Sequence, residues 1–189
     1  MGRMRSTQPI HSFFFMVLIL FCCCLSLIKG YCIEKEWDAL FSFKAGFVNN
    51  STRLSSWNAQ VDCCRWTGVV CSNKSGHVVE LNLLYDKFLG SLLSLTHLER
   101  LDLSENDSSL IPIPQFFGSF NNLTYLDLSN ANFSGEIPPQ LGDLTSLRYL
   151  NLEAYYSESG WTTTYVHDLK WLSRLSHLQF LYFELCEPK

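Results

Sequence analysis

The chain has 189 residues, of which 47% are hydrophobic and 17% charged, with a formal charge of −4 at neutral pH. That make-up fits one ordinary globular domain and argues against a nucleic-acid binder, which would show a basic patch or stripe of Lys and Arg. No such run occurs in this sequence.

The N-terminal segment is of a different character. Arg3 and Arg5 precede an unbroken apolar run from Phe13 to Leu25 that continues to Ile28, with small residues at Ser26 and Gly30. A basic start, a short apolar stretch and a small-residue exit describe a secretory signal peptide over 1–30. The run of 16 residues is shorter than the ~20 needed to span a bilayer. Cleavage near Gly30 removes Arg3, Arg5 and Lys29, leaving 11 basic against 18 acidic residues, a balance of −7. The expectation is an exported, mildly acidic chain with no transmembrane segment after cleavage, secreted or held at the cell surface.

Cysteine usage agrees. Cys22, Cys23 and Cys24 leave with the leader, and Cys32, Cys63, Cys64, Cys71 and Cys186 remain. Outside the cell such cysteines pair. Zinc held by Cys63, Cys64, Cys71 and His77 is the weaker reading, because the spacing matches no common C-x2-C pattern. Six N-x-S/T sequons begin at Asn49, Asn50, Asn73, Asn106, Asn122 and Asn132. Asn50, Asn73, Asn122 and Asn132 are the expected glycan acceptors, Asn122 and Asn132 on exposed turns.

Residues 34–47 read EKEWDALFSFKAGF, with Trp37, Leu40, Phe41, Lys44 and Phe47 at helical spacing. This predicts a helix with one aromatic face. Together with Leu54–Trp57 and the cysteine cluster it forms a cover over 31–72 for the open end of the segment C-terminal to it.

That segment is repetitive. Leucines or their equivalents recur as L-x-x-L-x-L at Val78/Leu81/Leu83, Leu98/Leu101/Leu103, Leu123/Leu126/Leu128, Leu147/Leu150/Leu152 and Leu178/Leu181/Phe183. The middle positions are separated by 20, 25, 24 and 31 residues, against a usual leucine-rich-repeat length of about 20–29. Only the last step needs an insertion, placed at 154–170. The expected fold class is therefore α/β, a leucine-rich-repeat solenoid with a curved parallel β-sheet on its concave face, a helical cap at 31–72 and about five repeats over 73–189, the last incomplete. Asn106 falls at the inward ladder position that satisfies buried backbone and should escape glycosylation, whereas Ala131 and Tyr155 cannot fill that role in the same way.

The motifs Cys32-x3-Glu36-x2-Ala39-Leu40-x2-Phe43-Lys44, Leu54-x2-Trp57, Cys63-Cys64-x-Trp66-x-Gly68-Val69-x-Cys71 and Gly76-His77-Val78 resemble the plant-type N-terminal cap. That cap opens leucine-rich-repeat receptor-like proteins, receptor-like kinases and polygalacturonase-inhibiting proteins. Phe133-Ser134-Gly135-x-Ile137-Pro138 is similar to the plant extracellular repeat, and Asp168-Leu169-x-Trp171-Leu172-Ser173-x-Leu175-Ser176-x-Leu178 to a repeat near the start of receptor-like proteins that perceive fungal elicitors such as xylanase. The resemblance implies disulfides Cys32–Cys63 and Cys64–Cys71, which leaves Cys186 unpaired within the chain. It also implies no enzymatic activity, no cofactor, and a peptide, glycan or microbial protein as ligand, with a co-receptor kinase as a second partner. Family members carry more repeats, an acidic spacer and a membrane span, so 31–189 reads as a piece of a longer ectodomain with an uncovered last repeat.

Between the inward leucines, outward positions align in two columns. One is Glu80, Arg100, Tyr125, Tyr149 and Phe180; the other is Asn82, Asp102, Asp127, Asn151 and Tyr182. From these, Arg100, Asp102, Tyr125, Asp127, Tyr149, Asn151, Phe180 and Tyr182 are the candidate ligand surface. The blander reading gives Asp102 and Asp127 a local hydrogen-bonding role in the L-D-L-S repeat. Tyr155, Tyr156, Trp161 and Tyr165 in the insertion are expected to form a flap packed on the solenoid rather than a binding loop. His77, His97, His167 and His177 show no triad or metal spacing in the sequence. The first reading is the recognition module of a cell-surface receptor in immune or developmental signalling; the alternatives are a secreted inhibitor of microbial wall-degrading enzymes or a non-functional truncated fragment.

Overall fold

The computed structural model describes residues 31–45, 52–83, 92–106, 108, 110–153 and 164–183. The leader, Asn50, Cys186 and most of the predicted insertion lie outside them. Helix α1 (Glu34–Ala45) buries Glu36, Leu40 and Phe43. Trp37 and Phe41, one turn apart on its flank, stack with ring centroids 4.6 Å apart and lean on Trp66.

Trp57 and Trp66 fill the cap interior, stacked 5.0 Å apart and almost wholly buried. Buried indole N–H groups need acceptors, and they have them in the carbonyls of Thr67 (2.9 Å) and Val61 (3.1 Å). The Lys44 ammonium donates to the Trp57 carbonyl, tying the helix end to the same layer. Disulfides join Cys32 to Cys63 and Cys64 to Cys71. Asp62 caps the short 3-10 turn Cys63–Arg65 by accepting from the Cys64 amide.

Strand β1 (Val69–Cys71) runs antiparallel to β2 (Val78–Asn82), a hairpin absent from the sequence reading. Gly68, at φ +83°, lies so close to β2 that a Cβ would fall 2.1 Å from the Asn82 carbonyl oxygen. From β2 the chain coils, laying down β3 (Arg100–Asp102), β4 (Tyr125–Asp127), β6 (Tyr149–Asn151) and β8 (Phe180–Tyr182) as one parallel sheet in the order β1-β2-β3-β4-β6-β8. Leu81, Leu101, Leu126, Leu150 and Leu181 pair in sequence along that sheet, in the register set by the leucine spacing.

From β3 onward the return path of each described coil contains a 3-10 turn: Gln115–Ser119, Pro139–Asp143 and Lys170–Arg174. Successive turns pack so closely that a Cβ on Gly118 would lie 2.2 Å from the Gln140 carbonyl oxygen. Arg174 reaches back across this layer to the Asp143 carboxylate at 2.8 Å.

A second, lateral sheet pairs β5 (Gly135–Glu136) with β7 (Thr164–Tyr165). This refines the expectation of an insertion at 154–170. Its last part is regular repeat structure: Thr164 is buried, and the Ile137 amide donates to the Tyr165 carbonyl at 2.8 Å. The sequence hid this because Thr-Thr-Tyr does not spell the Phe-Ser-Gly-x-Ile-Pro pattern, although extended backbone needs only β-compatible residues there. Trp161 and its flap lie outside the described residues.

Asn106 occupies the inward ladder. Buried, it donates from Nδ2 to the carbonyls of Leu83, Leu103 and Ser104. Where Ala131 stands instead, the amides of Ser108 and Leu110 donate to the carbonyls of Ala131 and Asn132, and the neighbouring Asn130 side chain donates to the Glu105 carboxylate at 2.7 Å.

Candidate functional site

The two outward columns lie side by side on β2, β3, β4, β6 and β8, paired Glu80–Arg100–Tyr125–Tyr149–Phe180 and Asn82–Asp102–Asp127–Asn151–Tyr182. Parallel register stacks equivalent residues about 4.8 Å apart, so aromatic neighbours meet face to face. Tyr125 and Tyr149 stack at 4.3 Å with 10° between their planes. The Arg100 guanidinium covers the other face of Tyr125 at 3.8 Å while its Nε lies 3.6 Å from Glu80. Phe180 and Tyr182 tilt against Tyr149 at 6.3 and 5.6 Å.

Asp127 lies beneath this stack and requires a correction. Together with Asn151 it was expected on the ligand surface, yet both are buried. The Asp127 Oδ1 accepts from the Ser129 amide and hydroxyl, at 3.0 and 2.6 Å; Oδ2 accepts from Tyr125 at 3.1 Å, Tyr149 at 3.4 Å and Asn151 at 3.5 Å. The tyrosine rings roof it over, so the rings rather than the carboxylate face outward. Asp102, at the same repeat position, has Arg100 beside it instead of a tyrosine and stays half-exposed, holding Ser104 and Asn82.

Burial, with the negative charges of Asp127 and then Asp102, pushes the Tyr125 phenol far above its usual value. Burial also raises that of Tyr149. Both phenols are therefore neutral donors at any physiological pH. The exposed groups of this face are a cationic end at Arg100, aromatic edges in the middle, and the rings of Phe180 and Tyr182, which are 52% and 41% accessible. A cleft between Phe133, Leu152 and Thr164 has a volume of about 10 Å³, room for about one water molecule.

A second constellation was missed by sequence reasoning, which found no metal spacing among the histidines. The buried Glu36 carboxylate accepts from the Val78 amide at 2.7 Å and lies 2.9 Å from His77 Nδ1 and 4.0 Å from His97 Nδ1. The two imidazoles stack at 3.6 Å. The available signal was positional: each histidine directly precedes the first apolar residue of its repeat, Val78 or Leu98, so the coil places one above the other. The cysteines that competed for a zinc reading are consumed in disulfides.

Of the expected glycan acceptors, Asn73 is exposed on a turn, and Asn122 is exposed with its Nδ2 donating to the Thr96 carbonyl at 3.1 Å. Asn132 is half-buried with φ +53°, rather than on a fully exposed turn. Among the described residues no helix is long and apolar enough to cross a membrane.

Residues 33–72 match the leucine rich repeat N-terminal domain family. The chain is 40% identical over 173 residues to Receptor-like protein EIX1 of Solanum lycopersicum and 43% identical over 127 residues to Receptor-like protein EIX2 of the same species. Those matches take in 81% and 59% of this chain but only 16% and 12% of the relatives. Among solved structures, a plant ice-binding protein superposes with TM-score 0.71 at 25% identity, over 82% of this chain and 50% of that one. The PEPR1–AtPEP1 complex gives 0.63 at 26%, over 81% and 21%. The Arabidopsis thaliana BIR3–SERK2 complex gives 0.60 at 31%, over 77% of this chain and 79% of its counterpart.

Proposed function

Because this chain belongs to the plant leucine-rich-repeat receptor-like proteins, we propose that its concave face is a peptide- or protein-binding surface of an extracellular recognition module, read by the column Arg100–Tyr125–Tyr149–Phe180 and its neighbour Tyr182. The observation that carries this reading is the stack itself. Sugars prefer open ring faces, and here the faces of Tyr125 are covered by Arg100 on one side and Tyr149 on the other. What remains open are edges, a guanidinium and two exposed rings, the groups enriched where proteins bind proteins. A carboxylate-bearing, partly aromatic segment complements that order of groups.

The likeness to a receptor solved with AtPEP1 supports a peptide over a glycan. The BIR3–SERK2 likeness supports a second, kinase-bearing partner for the assembled receptor. The role is binding rather than catalysis, in immune or developmental signalling at the cell surface. An inhibitor of wall-degrading enzymes would use the same concave face, so the two readings part on the partner and not on the residues.

Binding of the secreted chain to immobilised fungal xylanase, to polygalacturonase and to a random-peptide display library tests this. Arg100→Ala, Tyr149→Ala and Phe180→Ala should each weaken a selected interaction by about tenfold or more, corresponding to about 1.4 kcal/mol. Asn73→Gln, far from the column, should leave it unchanged. Capture of oligogalacturonide alone, or binding indifferent to all three column variants, overturns the proposal.

A further inference from the structure

We propose that Glu36, His77 and His97 form a binding site for a divalent transition metal, zinc by preference, that fastens the cap helix to the first two coils. The site is independent of the concave face and of the ligand read there.

Burying a carboxylate is costly unless a charge or several donors compensate it. Glu36 is only 2% exposed, and among the described residues its side chain meets no Lys or Arg; its partners are the Val78 amide and the two imidazoles. A divalent ion held by the carboxylate and both imidazoles would engage all three groups at once.

The donor atoms lie close together. His77 Nδ1, His97 Nδ1 and a Glu36 carboxylate oxygen all lie within 4.8 Å of one another. Tetrahedral zinc, with bonds of about 2.0–2.2 Å to N and O, needs its ligand atoms about 3.3 Å apart. From Glu36 Oε1 the present separations are 2.9 Å to His77 and 4.0 Å to His97; the two rings stack only 17° from parallel, so one of them must turn out of the stack for both in-plane lone pairs to meet one ion. His97, whose side chain is 49% accessible, has the freedom to make that adjustment and leaves the fourth position open to water. Two imidazoles and a carboxylate suit zinc better than a hard ion such as magnesium or calcium, which would call for more oxygens. The three ligands come from α1, the entry to β2 and the turn before β3, so the ion would clamp the cap where it meets the repeats.

Isothermal titration of the secreted, disulfide-bonded chain with zinc chloride, after chelator treatment, is the direct test. One equivalent should bind. His77→Gln and His97→Gln should each weaken binding by about tenfold or more, the scale of losing a ligand or its support. His167→Gln, which removes the surface pair with Glu136 at 3.7 Å, should bind as the parent does. Near-ultraviolet circular dichroism reports whether each variant folds. Should His77→Gln fail, the exposed His97→Gln and X-ray absorption of the zinc-loaded parent, which should show two imidazole nitrogens, still decide. No saturable binding, equal binding by His97→Gln, or a zinc shell without imidazole overturns the site.

Discussion

The cap and the fifth strand are built from similar amino acids and end in opposite states. In the cap, Trp57, Trp66, Leu40 and Phe43 are almost wholly buried, indole N–H groups find carbonyls, and two disulfides close the layer. In β8, Phe180, Leu181 and Tyr182 are all exposed. Leu181 holds the same repeat position as Leu126, which is fully buried, yet is 36% exposed. A solenoid unit gains its core from the coil on each side. The cap supplies that second neighbour for the first coil through side chains consumed in packing, whereas among the described strands β8 pairs with β6 alone. The difference shows how much of a coil's burial comes from its neighbours rather than from its own residues.

The largest effect should come from the cap. Trp57→Ala removes a buried ring that packs on Phe43 and Trp66 and orphans the Thr67 carbonyl. Denaturant titration should show a loss of about 3–5 kcal/mol. A loss below about 1 kcal/mol would mean that the cap is not the stable end.

The comparison between equivalent leucines is the next. Leu126→Ala should cost about 2–5 kcal/mol and Leu181→Ala under about 2 kcal/mol, because the second side chain is already partly in water. Equal losses would show that β8 is covered in solution by something else. Between those values lies Gly118→Ala, where the added methyl meets the Gln140 backbone oxygen rather than a yielding side chain. Overpacking of this kind costs roughly 1–3 kcal/mol, measurable by thermal unfolding.

The smallest effect is one of pH. Tyr125 has its phenol pKa raised in the fold, first by burial and then by Asp127 and Asp102. The unfolded chain releases that proton near pH ~10. The contribution is complete below that value and is lost as pH rises from it toward the folded pKa. Absorbance at 295 nm should show Tyr125 staying protonated after the unperturbed tyrosines ionise, and Asp127→Asn should lower its midpoint. Ionisation of Tyr125 with the rest would break the picture of a roofed carboxylate.

The concave columns were legible in the chain because a fixed repeat leaves the strands one register, and L-x-x-L-x-L names the residues that face each way. The cap was legible as a motif, including the cysteine pairing that its family resemblance implied. What the sequence alone could not state was depth. Asp102 and Asp127 share one motif, Leu-Asp-Leu-Ser, but Asp102 has Arg100 before its leucine, whereas Asp127 has Tyr125 there and Tyr149 and Asn151 on the next strand; those neighbours decide which carboxylate faces water and which is sealed. Nor could it disclose β7, whose pairing with β5 depends on extended backbone that many sequences adopt, or the meeting of Glu36 with His77 and His97, brought about by helix docking and coil stacking across 41 residues and more. Periodicity is a property of the chain and can be read along it. Burial and the convergence of distant polar groups are properties of the packed solid, and only the tertiary structure decided them.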